Sequence, residues 1–362
     1  MTRLTVRALR TTAVEVPMRY ALGTSRGAIR AAPLLLVDLE TEEGITGRSY
    51  LFCYLRAAAP AIATLVAEVE RMVKGESVDP EAQFEVLAKR FTLIGVQGIV
   101  RMALAAFDVA AWDALAIAAG QPLVTLLGGT PRPVRAYNSN GLGLMEPGAL
   151  ADEAEALLEH GFRAVKLRLG YETLAGDLAA VHTVRERVGA DIAIMVDYNQ
   201  ALSVAEALER GRALDAEGVY WLEEPIRHDD YRGAARLARE LSTPVQIGEN
   251  FSLPQAMEEA LEHGACDYAM PDLERIGGVT GWRRAARIAE ARGIPMSSHL
   301  FPEVSAHLLA VTPTAHWLEY VDWASPILEE PIRIESGAAI VPSRAGNGLA
   351  WNRDAVERYR IA

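Results

Sequence analysis

The chain has 362 residues, half of them apolar and 23% charged, which fits a globular protein with room for two domains or one barrel with additions. A formal net charge of −12 and the lack of any basic stripe exclude a nucleic-acid binder, whereas small anionic ligands stay open because local charge decides them. The two cysteines, Cys53 and Cys266, match no metal spacing. No signal peptide and no apolar run of about 18 residues is present, so a cytoplasmic protein with no membrane partner is expected.

In chain order, residues 1–50 hold two β-like stretches, "TRLTVRALRTTAVEV" and "PLLLVDLETEEGITGRSY", with a turn signal at Glu42-Glu43-Gly44. From Arg56 to Ala119 the pattern is helical and Ala-rich, and Gly120 ends the last helix. This predicts a small α+β domain over 1–128. After "GGTPRPV" short apolar segments alternate with amphipathic helices: "VRAYNS", "AVKLRL", "IAIMVDYN", "VYWLEEP", "PVQIGEN", "DYAMPD", "PMSSHL" and "HWLEYVD". Eight strands with helices between them predict an α/β fold of the (β/α)8 type over 129–327. A doubly wound open sheet would want a Gly-rich phosphate fingerprint after its first strand, and there is none. The last stretch, 328–362, contains "IRIES" and "GAAIVP" and is expected to return to the first domain.

In such a barrel the chemistry sits at the C-terminal ends of the strands. Those ends carry Lys166 and Arg168, Asp197 with Asn199, Glu223 with Glu224, Glu249 with Asn250, Asp272, His299 and Glu319. Asp197, Glu223 and Glu249 recur every 26 residues, one β/α unit, so the three carboxylates converge. Converging carboxylates repel unless a cation joins them. A ligand set of oxygens alone favours Mg²⁺, with Mn²⁺ able to substitute. The competing reading makes each acid a helix N-cap. Asp272 and His299 end adjacent strands, where the carboxylate can hold an imidazole nitrogen and prepare a general base. His160, His182, His228 and His263 are read as structural residues on helices. Only three of the 36 basic residues are lysines, so Lys166 in a core-like strand points to a need for a compact ammonium, against the alternative of a structural salt bridge. Glu319 completes the ring, either as a rim salt-bridge partner or as a protonated acid facing developing negative charge.

With these residues in view, the chain resembles the enolase superfamily and, within it, the mandelate racemase subgroup. The segments that carry the resemblance are "IMVDYNQ", "WLEEP", "AMPDLERIGGVTGW" and "PMSSHLFPEVSAHLLAVTPTAHWLE". It implies a modified (β/α)8 TIM barrel under an α+β capping domain. It also implies that Asp197, Glu223 and Glu249 are Mg²⁺ ligands, that His299 and Asp272 form the base dyad, and that Glu319 bonds the enolate oxygen. Ser139, Lys166 and Asn199 match positions that hold the substrate carboxylate and hydroxyl, and Phe52 and Tyr54 lie where the cap walls the pocket. A homo-oligomer acting on a small carboxylate substrate is expected.

Two departures bear on the reaction. Where the racemase strand reads Lys-x-Lys, this one reads Lys166-x-Arg168, and a guanidinium with a pKa above about 12 is a poor proton acceptor. Two-base racemisation is thereby put in doubt, and one-base dehydration of an acid sugar or hydroxy diacid to a 2-keto acid is the first expectation. Racemisation of a mandelate-like 2-hydroxy acid is the alternative, and a non-catalytic barrel that binds metal or ligand is a further one. The second departure is the segment "YALGTSRGAIR", 20–30, expected as a loop over the pocket. Its Arg26 suits a polar or anionic far end of the substrate, and Arg30 is expected to face solvent.

Overall fold

The computed structural model describes residues 3–25 and 27–361. The first unit is an antiparallel sheet of β1 (Val6–Thr24), β2 (Gly27–Thr41) and β3 (Thr46–Phe52), in that spatial order. Helices α1 (Ala58–Val73), α2 (Pro80–Arg90) and α3 (Ile99–Ala118) cover it, and the short α4 (Leu123–Leu126) follows. Helix α3 is apolar on nearly every side and almost wholly buried, as expected of a helix clamped between two layers. Its alanines let β3 approach closely: a Cβ on Gly47 would lie 2.0 Å from the Ala110 carbonyl oxygen. The turn at Gly44 forms as expected, its N–H bonded to Thr41 O at 3.1 Å.

The second unit opens with β4 (Pro133–Asn138) and α5 (Pro147–Ala156). It continues with β5 (Ala164–Arg168), α6 (Leu174–Val188), β6 (Ala193–Asp197), α7 (Val204–Leu214), β7 (Leu222–Glu223) and α8 (Tyr231–Glu240). Then come β8 (Val245–Ile247), α9 (Leu253–Glu262), β9 (Tyr268–Ala269), α10 (Leu273–Ile276), α11 (Gly278–Arg292) and α12 (Pro302–Ala310). The last elements are β10 (Leu318–Tyr320), β11 (Arg333–Glu335), β12 (Ala338–Ile340) and α13 (Arg353–Tyr359).

Strands β4 to β9 pair in parallel in chain order, and β10 pairs with β4. The segment "PMSSHL", expected as the seventh strand, forms isolated parallel bridges instead of a regular ladder. Met296 bridges Ala269 on one side and Ala315 on the other, and Ser298 N donates to Trp317 O at 3.0 Å. The barrel is filled by an aromatic layer, in which Tyr137 meets the edges of Trp221 and Trp317.

Three further expectations meet a different arrangement. Residues 20–30 are not a loop: β1 runs to Thr24 and β2 starts at Gly27, so the segment is the tip of a hairpin. "IRIES" and "GAAIVP" form a hairpin that pairs with the start of β4, and it is the later stretch that meets the first unit, where Trp351 Nε1 donates to Asp38 Oδ1 at 2.8 Å. Of the four histidines read as helical, His182 lies within α6 and His263 caps α9, whereas His160 sits in a short 3-10 turn and His228 in the loop after β7.

Candidate active site

The parallel strands bring their C-terminal ends to one mouth. Asp197 and Glu223 are register partners on β6 and β7, and Asp272 and His299 are bridge partners on the next staves. Several non-glycine residues just past these ends have left-handed backbones, among them Asn199, Glu224, Leu300 and Phe301, as happens where a site over-determines its backbone.

One oxygen from each of Asp197, Glu223 and Glu249 lies within 4.8 Å of the other two. Second groups orient each acid. Asn199 Nδ2 donates to Asp197 Oδ2 at 3.0 Å, Trp221 Nε1 to Glu223 Oε2 at 3.0 Å, and Asn250 Nδ2 to Glu249 Oε1 at 3.2 Å. Burial, against the pull of Lys166 and with help from Asp197, Glu319 and Glu249, pushes the Glu223 carboxyl up to about 8. Three acids packed from neighbouring strands, with no Cys or His ligand among them, fit a hard divalent cation that would relieve this repulsion.

Lys166 is buried with its Nζ 2.7 Å from Glu319 Oε1, 2.8 Å from Glu223 Oε1 and 3.3 Å from Asp197 Oδ2. Burial alone would lower its pKa, but the three carboxylates hold it well above the usual lysine range. Glu319 also accepts from Ser139 Oγ at 2.7 Å and from Leu300 N at 2.8 Å. With neither cation nor substrate in the site, burial favours the neutral form of Glu319, yet Lys166 and His299 outweigh it and push its carboxyl well below the usual carboxylate range.

His299 Nδ1 meets Asp272 Oδ2 at 2.6 Å, while Nε2 faces Glu249 Oε2 at 3.3 Å and Glu319 Oε2 at 3.9 Å. Burial pulls the imidazole down, but Glu249, Glu319 and Asp272 raise it to about 9. The other oxygen of Asp272 accepts from the backbone of Glu274 and Arg275 at the start of α10, so the acid is fixed from both sides.

Arg168 is held by the 139–141 segment. Its Nη1 donates to Gly141 O at 2.6 Å, and its Nη2 to Ser139 O at 3.0 Å and Ser139 Oγ at 3.2 Å. Phe52 is buried between Tyr54 and Trp323, with ring centroids 4.4 and 4.9 Å away. Arg26 lies outside the described residues, and Arg30 is exposed as expected. Sequence reasoning missed Arg275, whose Nη1 donates to Glu249 O at 3.0 Å and to Asn250 Oδ1 at 2.8 Å. It also missed Trp221 below Glu223. Nothing in a single sequence marks contacts made across neighbouring staves.

The family model for the mandelate racemase / muconate lactonizing enzyme N-terminal domain matches residues 6–128, and the enolase C-terminal domain-like model matches 149–355. The chain belongs to this family of the enolase superfamily. It is an enzyme of that superfamily, with a capping unit on a modified barrel. It is 30% identical over 361 residues to the 3,6-anhydro-α-L-galactonate cycloisomerase of Streptomyces coelicolor, covering 98% of this chain and 99% of the relative. It is 28% identical to the L-talarate/galactarate dehydratase of Salmonella typhimurium, covering 89% and 81%. A crystal structure of an enolase from Bradyrhizobium, complexed with magnesium and mandelic acid, superposes with a TM-score of 0.96 at 41% identity, covering 100% of both chains.

Proposed function

We propose that this enolase-superfamily member removes the α-proton of a 2-hydroxy carboxylate and expels the β-hydroxyl, converting an acid sugar or hydroxy diacid to a 2-keto acid. The observation that carries the reading is the asymmetry of the site. His299, backed by Asp272, is a base on one side, whereas Arg168 has both terminal nitrogens on carbonyl oxygens and offers no acceptor on the other.

Asp197, Glu223 and Glu249 are the residues that would hold Mg²⁺ or Mn²⁺. When bound there, the ion supplies positive charge beside the substrate carboxylate and offsets the Glu249 charge that holds His299 up. Asp272 keeps the proton of His299 on Nδ1, so Nε2 is free to accept. His299 Nε2 takes the α-proton, and the C–H electron pair moves into the carboxylate to give a doubly negative enediolate. Lys166 meets that charge with its ammonium. A substrate carboxylate that draws Lys166 away removes the cation holding Glu319 ionised, and Glu319 then takes up a proton and donates a hydrogen bond. The pair returns as the β C–O bond breaks, and His299 gives its proton to the departing hydroxide, which leaves as water. The remaining enol tautomerises to the 2-keto acid. Ser139 and Asn199 are proposed to hold the substrate carboxylate and hydroxyl, with Phe52, Tyr54 and Arg26 on the distal side. A cytoplasmic homo-oligomer completes the proposal.

Acid sugars, hydroxy diacids and simple 2-hydroxy acids, incubated with Mg²⁺ in D₂O, test it by NMR and keto-acid detection. Deuterium at the α-carbon of recovered substrate, together with keto acid, is the expected result. Exchange with the opposite enantiomer and no keto acid replaces dehydration with racemisation, the reading favoured by the mandelic acid complex of the Bradyrhizobium enolase. No exchange with any acid removes both.

A further inference from the structure

Arg275 joins three parts of the molecule that the proposed chemistry needs in one place. Its backbone N–H is one of the two that cap Asp272 Oδ1, at 3.1 Å. Its Nη1 reaches the neighbouring stave and donates to the carbonyl oxygen of Glu249 at 3.0 Å and to Asn250 Oδ1 at 2.8 Å. Its guanidinium carbon lies 4.8 Å from the ring centroid of Tyr54, which comes from the cap just past β3. Tyr54 adopts a left-handed backbone with φ of 58°, unusual for an aromatic residue, and its buried hydroxyl has no hydrogen-bond partner among the described residues. The ring is therefore placed by its face, on Arg275 and against Phe52 at 4.4 Å, and not by its polar end.

A carbonyl fixed by a guanidinium fixes the peptide plane from which the Glu249 side chain projects. We propose that Arg275 is a positioning residue that sets Glu249 for the cation only while Tyr54 of the cap lies on its guanidinium, so that cap docking and cation affinity are coupled. The inference rests on the reading of Glu249 as a cation ligand. Arg275 stays charged because a guanidinium does not give up its proton near neutral pH.

The test is Mg²⁺ binding by calorimetry to the full chain and to the variants Arg275→Met, Tyr54→Leu, their double variant and Arg275→Gln, each checked for folding by its unfolding midpoint without Mg²⁺. Arg275→Met is expected to weaken Mg²⁺ binding about ten-fold or more, the usual effect of losing a group that orients a ligand residue. Tyr54→Leu weakens it several-fold, although Tyr54 contacts no proposed ligand. The double variant is no weaker than Arg275→Met, because the ring acts only through the guanidinium. Arg275→Gln keeps an N–H donor for the Glu249 carbonyl but loses the charge that lies on the ring, so it retains part of the affinity and adding Tyr54→Leu to it changes nothing. That pair serves the same comparison where Arg275→Met does not fold. Wild-type affinity in Tyr54→Leu, or losses that multiply in the double variant, overturn the coupling and leave the proposed function standing. A wild-type chain that does not bind Mg²⁺ removes both together.

Discussion

Lys166 and Arg168 share one face of β5, two positions apart, yet serve different partners: the ammonium sits among three carboxylates, and the guanidinium spans two backbone carbonyls. Arg168 thereby fixes the 139–141 segment, and with it the Ser139 hydroxyl that Glu319 accepts from. Arg168→Lys places an amine that can lose its proton where the guanidinium cannot. This variant is expected to form some of the opposite enantiomer beside keto acid, read by chiral chromatography. A variant that yields keto acid alone shows that something other than the guanidinium blocks the second face. His299→Asn tests the other side. It removes the proton acceptor while leaving the three carboxylates, so α-proton exchange is expected to fall about 10² to 10⁴-fold with Mg²⁺ binding retained. At this scale much was legible, because charged residues at strand ends have few structural excuses. The ionisation of Glu319 was not, since it depends on distances to Lys166 and His299 that spacing does not contain.

At the scale of elements, the β1–β2 hairpin reaches the barrel loops through Gly23 and Ser25. Leu144 N donates to Gly23 O at 3.3 Å, and a Cβ on Gly143 would lie 2.6 Å from that same oxygen. A Cβ on Gly170, after β5, would meet Ser25 Cβ at 3.5 Å. The tip thus rests on the loops that follow β4 and β5. Gly143→Ala has no positive φ to strain and acts only by pushing the tip away. It is expected to raise KM about ten-fold with a smaller change in kcat, because it displaces a wall and not the base. The unfolding midpoint should move by less than about 3 °C, as the tip adds little to either core. An unchanged KM would mean that the tip does not shape the pocket. Gly23, Ser25 and Gly27 look like a break in the sequence, whereas cross-strand pairing carries the strands as far as Thr24 and Gly27. The seventh stave was overread for the opposite reason: its apolar start looks like a strand, but Ser297 and Ser298 make single bonds to either side. The alternation of strands and helices was legible because it follows from which faces must be buried.

Across the whole molecule, the chain near Asn347 ties both units together. Asn347 N donates to Asp113 Oδ1 at 2.5 Å and its Nδ2 to Arg48 O at 2.8 Å, both in the first unit. Its carbonyl meets His307 Nε2 at 3.2 Å, and His307 Nδ1 accepts from Val124 N at 3.2 Å. Both ring nitrogens are thus in use only while the imidazole is neutral, and protonating Nδ1 would leave the Val124 N–H facing another donor. Burial pushes His307 down to about 4 from an ordinary 6.5. A histidine depressed in the folded state adds stability above pH 6.5 and loses it as pH falls toward 4, a change on the order of 3 kcal/mol at most. His316, also lowered to about 4, acts in the same direction. Asp113, raised by burial to about 7, opposes it, because its contribution is complete below pH 3.8 and is lost as pH rises through 7. The raw pH profile therefore mixes signs, and a comparison with His307→Gln separates them. Glutamine can accept from Val124 N and donate to Asn347 O at any pH. The wild-type lead in unfolding midpoint over this variant is expected to shrink steadily from pH 7 to pH 4.5. A lead that stays constant over that range would show that His307 takes up no proton on unfolding and that the joint at Asn347 does not sense acid.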